Sequence, residues 1–208
     1  WISDRWGRNE FGVPPANFGD FAWVEHMIKS MATSTGRLAV VVPNGVLFRK
    51  GESKIRENIV MSDKLEAVIS LGENLFYGTT LAACIMVFKE KKEAYKKNRV
   101  LFVDASKIYK KQRAQNILQE EHISVIYKLY ADYQDVEGIV KVVDFDEIQK
   151  HNFNLVVQMY VGKKTTEEIL PISEAIEHVN DAFDTCKEAN NLVKEKLMEM
   201  GLRYGLRK

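Results

Sequence analysis

Leu38-Ala39-Val40-Val41-Val42-Pro43 is an unbroken apolar run, set between Gly36-Arg37 and Asn44-Gly45. Its length and β-branched content read as a strand covered on both faces, the kind found inside an α/β sheet. Upstream, Asp20 precedes Phe21, Ala22, Val24, Met27, Ile28 and Met31. That spacing predicts a helix with Asp20 as N-cap, closed by Gly36. Downstream, a helix is expected from about Ser53 to Val60, followed by a strand from Leu65 to Leu71. A loop spans Gly72 to Thr80 before a third strand from Leu81 to Lys89. The link between these last two strands is too short for a parallel crossover, which takes a dozen or more residues, so an antiparallel pair at the sheet edge is expected. Helix, strand, helix, strand, loop, strand is the order of a layered α/β domain.

Outside this block the signals change. Residues 1–19 are rich in Gly, Pro, Asn, Arg and aromatics and include Pro14-Pro15, which marks a loop. The lysine-rich stretch from Lys89 to Lys97 reads as a solvated connection, and Val100 to Asp104 as a further strand. Helical spacing returns at Ile123, Ile126, Tyr127 and Tyr130, with Glu120 and Glu121 near its start. Gly162 to Thr166 looks like a linker. Beyond it, Ile172, Ile176, Val179, Phe183, Ala189, Leu192, Val193, Leu197 and Met200 trace a long amphipathic helix ending at Gly201.

Composition bounds the function. With 46% hydrophobic and 28% charged residues in 208, the chain is globular rather than disordered. No apolar run approaches the roughly 20 residues of a membrane span. Cys84 and Cys186 lie far apart without metal-ligand spacing, which excludes a disulfide framework and suits a reducing cytoplasm. His26, His122, His151 and His178 are scattered, with neither metal spacing nor a nucleophile partner. A net charge of +1 gives no support to a strongly basic DNA-binding domain. The start, Trp1-Ile2-Ser3-Asp4, lacks an initiator Met and a signal pattern, and reads as the cut end of a longer chain.

Four groups of residues are candidates for function, each with a bland alternative. Phe76 and Tyr77 sit in a loop directly after a strand, where they either face a ligand or plug the gap between sheet and helices. Arg49, Lys50, Lys54 and Arg56 follow the strand 38–43 and either meet DNA phosphates or form a solvated basic loop. Phe21 opens a helix beside the sheet's carboxyl edge, where open α/β folds bind ligands; core packing is the alternative. The apolar stripe over 172–200 serves either a partner or packing on its own domain.

Several ordered segments resemble the modification subunit of type I restriction-modification systems, an N6-adenine DNA methyltransferase family. They are Phe11-Gly12-Val13-Pro14-Pro15 with Gly19-Asp20-Phe21-Ala22; Gly36 through Arg49; Asn74-Leu75-Phe76-Tyr77-Gly78-Thr79; and Val100 through Ser106. Gln115-Asn116, Glu121-His122-Ile123, Val136-Glu137-Gly138, Asn154-Leu155 and Tyr160-Val161 continue the pattern in order. The resemblance implies the second half of a Rossmann-like, S-adenosylmethionine-dependent methyltransferase sheet over residues 1–161. A helical extension over 162–208 would dock other subunits. It further implies DNA as substrate, S-adenosyl-L-methionine as cofactor, and specificity and restriction subunits as partners, with no membrane and no metal.

By the same resemblance Phe76, with Tyr77 beside it, would pack on a target adenine turned out of the duplex, and Phe21 would touch the cofactor. Two family features are absent: the Asn-Pro-Pro-Phe/Tyr tetrad and the glycine-rich cofactor loop, both of which precede the matching region in the family. Asn44 also stands where the family has a histidine after the motif proline. The chain alone is therefore not expected to methylate. Two rival readings stay open, a non-catalytic scaffold and another nucleotide-dependent α/β enzyme.

Overall fold

A computed structural model describes residues 2–162 and 172–201. Within Trp1–Lys163 the elements run α1 (Asp20–Lys29), β1 (Arg37–Pro43), α2 (Ser53–Met61), β2 (Leu65–Leu71), β3 (Ala83–Lys89), β4 (Arg99–Ala105), α3 (Glu120–Asp132), β5 (Val140–Asp144), α4 (Phe145–Lys150) and α5 (Gln158–Val161). The α/β architecture expected from the alternating apolar runs is present. β5, α4 and α5 are additions, each too short to leave a clear periodic signal.

The five strands lie in the order β1-β3-β2-β4-β5. β3 pairs antiparallel with both β1 and β2, β2 pairs parallel with β4, and β5 is antiparallel to β4. β1, β2 and β4 therefore point the same way, and their carboxyl ends share one edge. The antiparallel course of β3 matches the short 72–82 link, but β3 is inserted between β1 and β2 rather than lying at the edge.

One edge of this sheet is β1, against the expectation that it is covered on both faces. Val42 packs in the core beneath α1 with Phe21, Val24 and Ile28. Ala39, on the other face, opens onto a groove of about 400 Å³ shared with Ile85, Val87, Ile123 and Tyr127. The run is apolar on both sides, but among the described residues only one side has a helix over it.

Period-two alternation along the central strands feeds two cores. Val68, Met86, Phe88, Val100 and Phe102 face the α1, α2, α4 layer, while Ala67, Ile69, Leu101 and Val103 face α3. Glu66 enters the second layer as a buried carboxylate. Lys96 Nζ lies 2.7 Å from it and the Tyr130 hydroxyl donates to it at 3.2 Å. α3 is entered through a reciprocal capping box, in which His122 Nδ1 accepts from the Gln119 amide at 3.0 Å. That gives one of the unassigned histidines a structural task.

The second unit, Lys164–Lys208, contains α6 (Ile172–Glu199), as the stripe predicted. Gly201 follows in the left-handed region at φ 72°, and its amide donates to the Met198 carbonyl at 3.0 Å. Ile176, Val179, Phe183, Leu192 and Val193 are exposed. The expected linker falls, from residue 163 onward, outside the described residues. No described helix is long and apolar enough to cross a membrane.

Candidate base-binding pocket

The common carboxyl edge of β2 and β4 carries two loops that meet. The first, residues 72–82, returns as β3. Its tip is a tight turn in which Phe76 and Thr79 form an antiparallel bridge, with Gly78 at φ 78°. That left-handed φ costs a side chain but suits glycine. Asn74, at φ 53°, sends the chain into the turn, and its amide donates to the Thr80 carbonyl at 3.1 Å. The second loop leaves β4 and closes on itself where Lys110 and Ile117 exchange backbone hydrogen bonds of 2.9 and 3.1 Å.

Between the two loops lies a pocket of about 670 Å³, lined by Asn74, Phe76, Tyr77, Thr80 and Gln115 among others. Its size falls in the range of small-molecule sites. Phe76 is 37% exposed and Tyr77 94% exposed. An aromatic ring held that far out of the core on a hydrogen-bonded turn offers a stacking face, and the gap-filling alternative does not describe Tyr77. Asn44, at the end of β1, has its side-chain oxygen buried without a hydrogen-bond partner.

The other expected site residues are placed differently. Phe21 is 0% exposed, enclosed with Val24, Ile28 and Val42, and offers no face to a ligand. Its helical spacing signalled core, and core is where it sits. Asp20 is not an N-cap but the first helical residue; both terminal nitrogens of Arg49 donate to it at 2.9 Å. Arg49 also pairs with Glu52 at 3.2 Å and lies over the Phe18 ring at 4.5 Å. Burial pushes the Glu52 carboxyl above its ordinary value, and the Arg49 charge opposes that.

Arg56 is 2% exposed and donates to the carbonyls of Phe153, Val46 and Arg49 at 3.0, 3.2 and 2.8 Å. A guanidinium consumed by buried carbonyls does not reach a phosphate, so Arg56 is corrected from a DNA contact to a structural one. Arg49 is likewise committed to two carboxylates. Lys50 and Lys54 remain on the surface, Lys54 beside Glu57 at 2.9 Å. No group of three His, Cys, Asp or Glu residues able to hold a metal occurs among the described residues.

Sequence reasoning passed over what holds the pocket. Asn116 and Gln115 bond the first loop from the second, and Tyr109 packs where Gly72 lacks a side chain. An Asn-Gln pair in a loop is a weak signal by itself, because its partners lie some forty positions away.

The N-6 DNA Methylase family model matches residues 2–169. The type I restriction enzyme MjaVII methylase subunit of Methanocaldococcus jannaschii is 36% identical over 181 residues, 85% of this chain and 31% of that protein. The MjaVIII methylase subunit of the same organism is 34% identical over 91% of this chain and 33% of its own length. The chain thus spans about a third of the curated relatives it matches. Among solved structures, the type I restriction-modification system methyltransferase subunit from Streptococcus thermophilus superposes with a TM-score of 0.71 at 29% identity. That match covers 77% of this chain and 34% of that one.

Proposed function

The chain belongs to the N-6 DNA Methylase family, and from that premise we propose that it supplies the base-holding side of a DNA adenine-N6 methyltransferase, in the modification subunit of a type I restriction-modification system. The observation that carries the reading is the aromatic turn, with Phe76 and Tyr77 presented over a pocket on the sheet's carboxyl edge. An adenine whose amine is to be methylated must leave the duplex, and the unstacking is offset by a new aromatic face. Phe76 provides that face and Tyr77, projecting further, closes the mouth. Lys50 and Lys54 follow the carboxyl end of β1 and supply phosphate contacts there.

S-adenosylmethionine supplies the methyl group in this reading. The described residues do not form a cradle for it: Phe21, the expected contact, is sealed in the core, and no glycine-rich loop is present in the sequence. What this chain contributes is orientation of the base, a positioning effect. The exposed stripe of α6 supports docking onto the specificity subunit, with the restriction subunit joining the same cytoplasmic complex. The same stripe favours a second reading, in which the chain is a non-catalytic scaffold.

Transfer of labelled methyl groups to DNA separates the two, measured on a full-length modification subunit that carries this chain downstream of the Asn-Pro-Pro-Phe/Tyr tetrad and is co-expressed with its specificity subunit. Base–aromatic stacking is worth about 1–3 kcal/mol, so Phe76→Ala should lower methylation roughly tenfold or more. Wild-type turnover by a folded Phe76→Ala variant would return the ring to gap filling. No methylation at all from the wild-type complex favours the scaffold.

A further inference from the structure

The two loops of the pocket are joined almost entirely by side chains of one onto the backbone of the other. Asn116 Nδ2 donates to the Glu73 carbonyl at 2.9 Å, and the Asn116 backbone amide donates to the Asn74 carbonyl at 2.8 Å. Gln115 Nε2 donates to the Leu75 carbonyl at 2.9 Å. Asn74 Nδ2 returns a bond to the Ala114 carbonyl at 3.2 Å. Three successive carbonyls just before Phe76 are thereby held from one short segment. Asn116 is 5% exposed, so its own bonds are partly sheltered from competing water, whereas the Asn74–Ala114 bond is exposed.

At the base of the loop, a Cβ on Gly72 would stand 2.4 Å from the Tyr109 ring, so the ring occupies the space glycine leaves. The turn carrying Phe76 has no comparable anchor of its own. Its internal ties are the Phe76–Thr79 bridge, the Asn74 backbone amide donating to the Thr80 carbonyl at 3.1 Å and the Leu81 amide donating to Thr79 Oγ1 at 3.1 Å.

We propose that Asn116, assisted by Gln115, is a positioning residue for the pocket: it sets the pose of the Phe76 turn by clamping the carbonyls of residues 73–75. The assignment rests on the base-binding reading above for its consequence, but not for its geometry. Asn116 does not line the pocket and acts through Phe76. A covalent step is not involved; the device is a brace between the loops that follow two parallel neighbouring strands. Such a brace fixes a ring on an otherwise mobile kind of element, which a binding site on loops requires.

Two measurements on the 208-residue chain test it, with Asn116→Ala, Phe76→Ala and the double variant. Amide hydrogen exchange reads the brace directly. Asn116→Ala should speed exchange at residues 74–80 while leaving the protection of β2 and β3 unchanged. Unaltered exchange at 74–80 overturns the proposal.

Quenching of a single-stranded oligonucleotide carrying one 2-aminopurine reads the consequence, since an unpaired base needs no extrusion. Asn116→Ala should weaken it about fivefold, the factor that one hydrogen bond is worth. The loss should vanish in the Phe76→Ala background, because a residue acting through the ring has nothing left to position. An additive loss in the double variant overturns the proposal by making Asn116 an independent contact. Asn116→Gln, which keeps the amide donor, should recover part of the exchange protection that Asn116→Ala loses, and exchange at 74–80 as fast as in Asn116→Ala overturns the role of that donor. If the wild-type chain quenches nothing, the base-binding reading of the pocket falls, and exchange alone decides the brace.

Discussion

Glu25 sits on the inner face of α1 with 1% of its surface exposed and neither carboxylate oxygen hydrogen-bonded. Burial is the main reason its carboxyl is pushed up from 4.5 to about 8; the nearby Phe11 amide opposes the rise and the Glu10 charge adds to it. Folded protein therefore keeps this proton through a range where the unfolded chain has lost it. Stability is full below the unfolded value and falls as pH climbs from 4.5 to about 8, then levels once both states are ionised. At 1.36 kcal/mol per unit, the window is worth about 5 kcal/mol.

That is a large share of the roughly 5–15 kcal/mol that holds a domain folded. Glu25→Gln keeps the shape and the neutral state but has no proton to lose. At pH 5 the variant should match or fall slightly below the wild type, by about 1 kcal/mol for unmatched amide donors. At pH 8 it should be the more stable protein by several kcal/mol. Urea midpoints for both chains at pH 5, 6, 7 and 8 measure the difference directly. Parallel pH profiles for the two proteins would refute the reasoning, because Glu25 would then ionise in the folded state as it does in the unfolded one.

Three other outcomes follow from the same physics. Lys96→Met leaves the buried Glu66 carboxylate without its 2.7 Å partner, and should cost about 3–5 kcal/mol by chemical denaturation. Leu192→Asp with Leu197→Asp should release a co-expressed specificity subunit in a pull-down while the circular dichroism of the α/β unit persists, since burial of each large aliphatic side chain is worth about 1.5–3 kcal/mol. Retained complex would remove α6 from the docking surface. Calorimetry of the 208-residue chain should detect no micromolar binding of S-adenosylmethionine, because Phe21 is core and the sequence carries no glycine-rich loop.

Much of the architecture is written locally. Apart from Glu66 and Ser70, Leu65–Leu71 and Val100–Val103 are apolar, and a strand buried on both faces is what such a run can become without leaving its backbone polar groups unpaired. The short 72–82 link dictated an antiparallel return, and the stripe from Ile172 onward dictated a long helix. The loop after β2 also announced its aromatics, since Phe76 and Tyr77 lie between glycines where the chain turns.

Other features depend on which segments meet. Leu38–Val42 reads like a central strand, yet β3 takes the inner place and β1 becomes the edge, a choice made by strand pairing rather than by hydropathy. Arg49 and Arg56 carry the same charge as Lys50 and Lys54. Only the approach of Asp20, 29 positions away, and of the Phe153 carbonyl, 97 positions away, converts the two arginines into structural groups. Asn116 gains its role from the Glu73 carbonyl 43 positions earlier. Periodicity records the distance from a residue to its own neighbours along one element, so it reports elements and faces. A hydrogen bond between two loops records a distance through space, which exists only after the sheet has brought the carboxyl ends of β2 and β4 side by side.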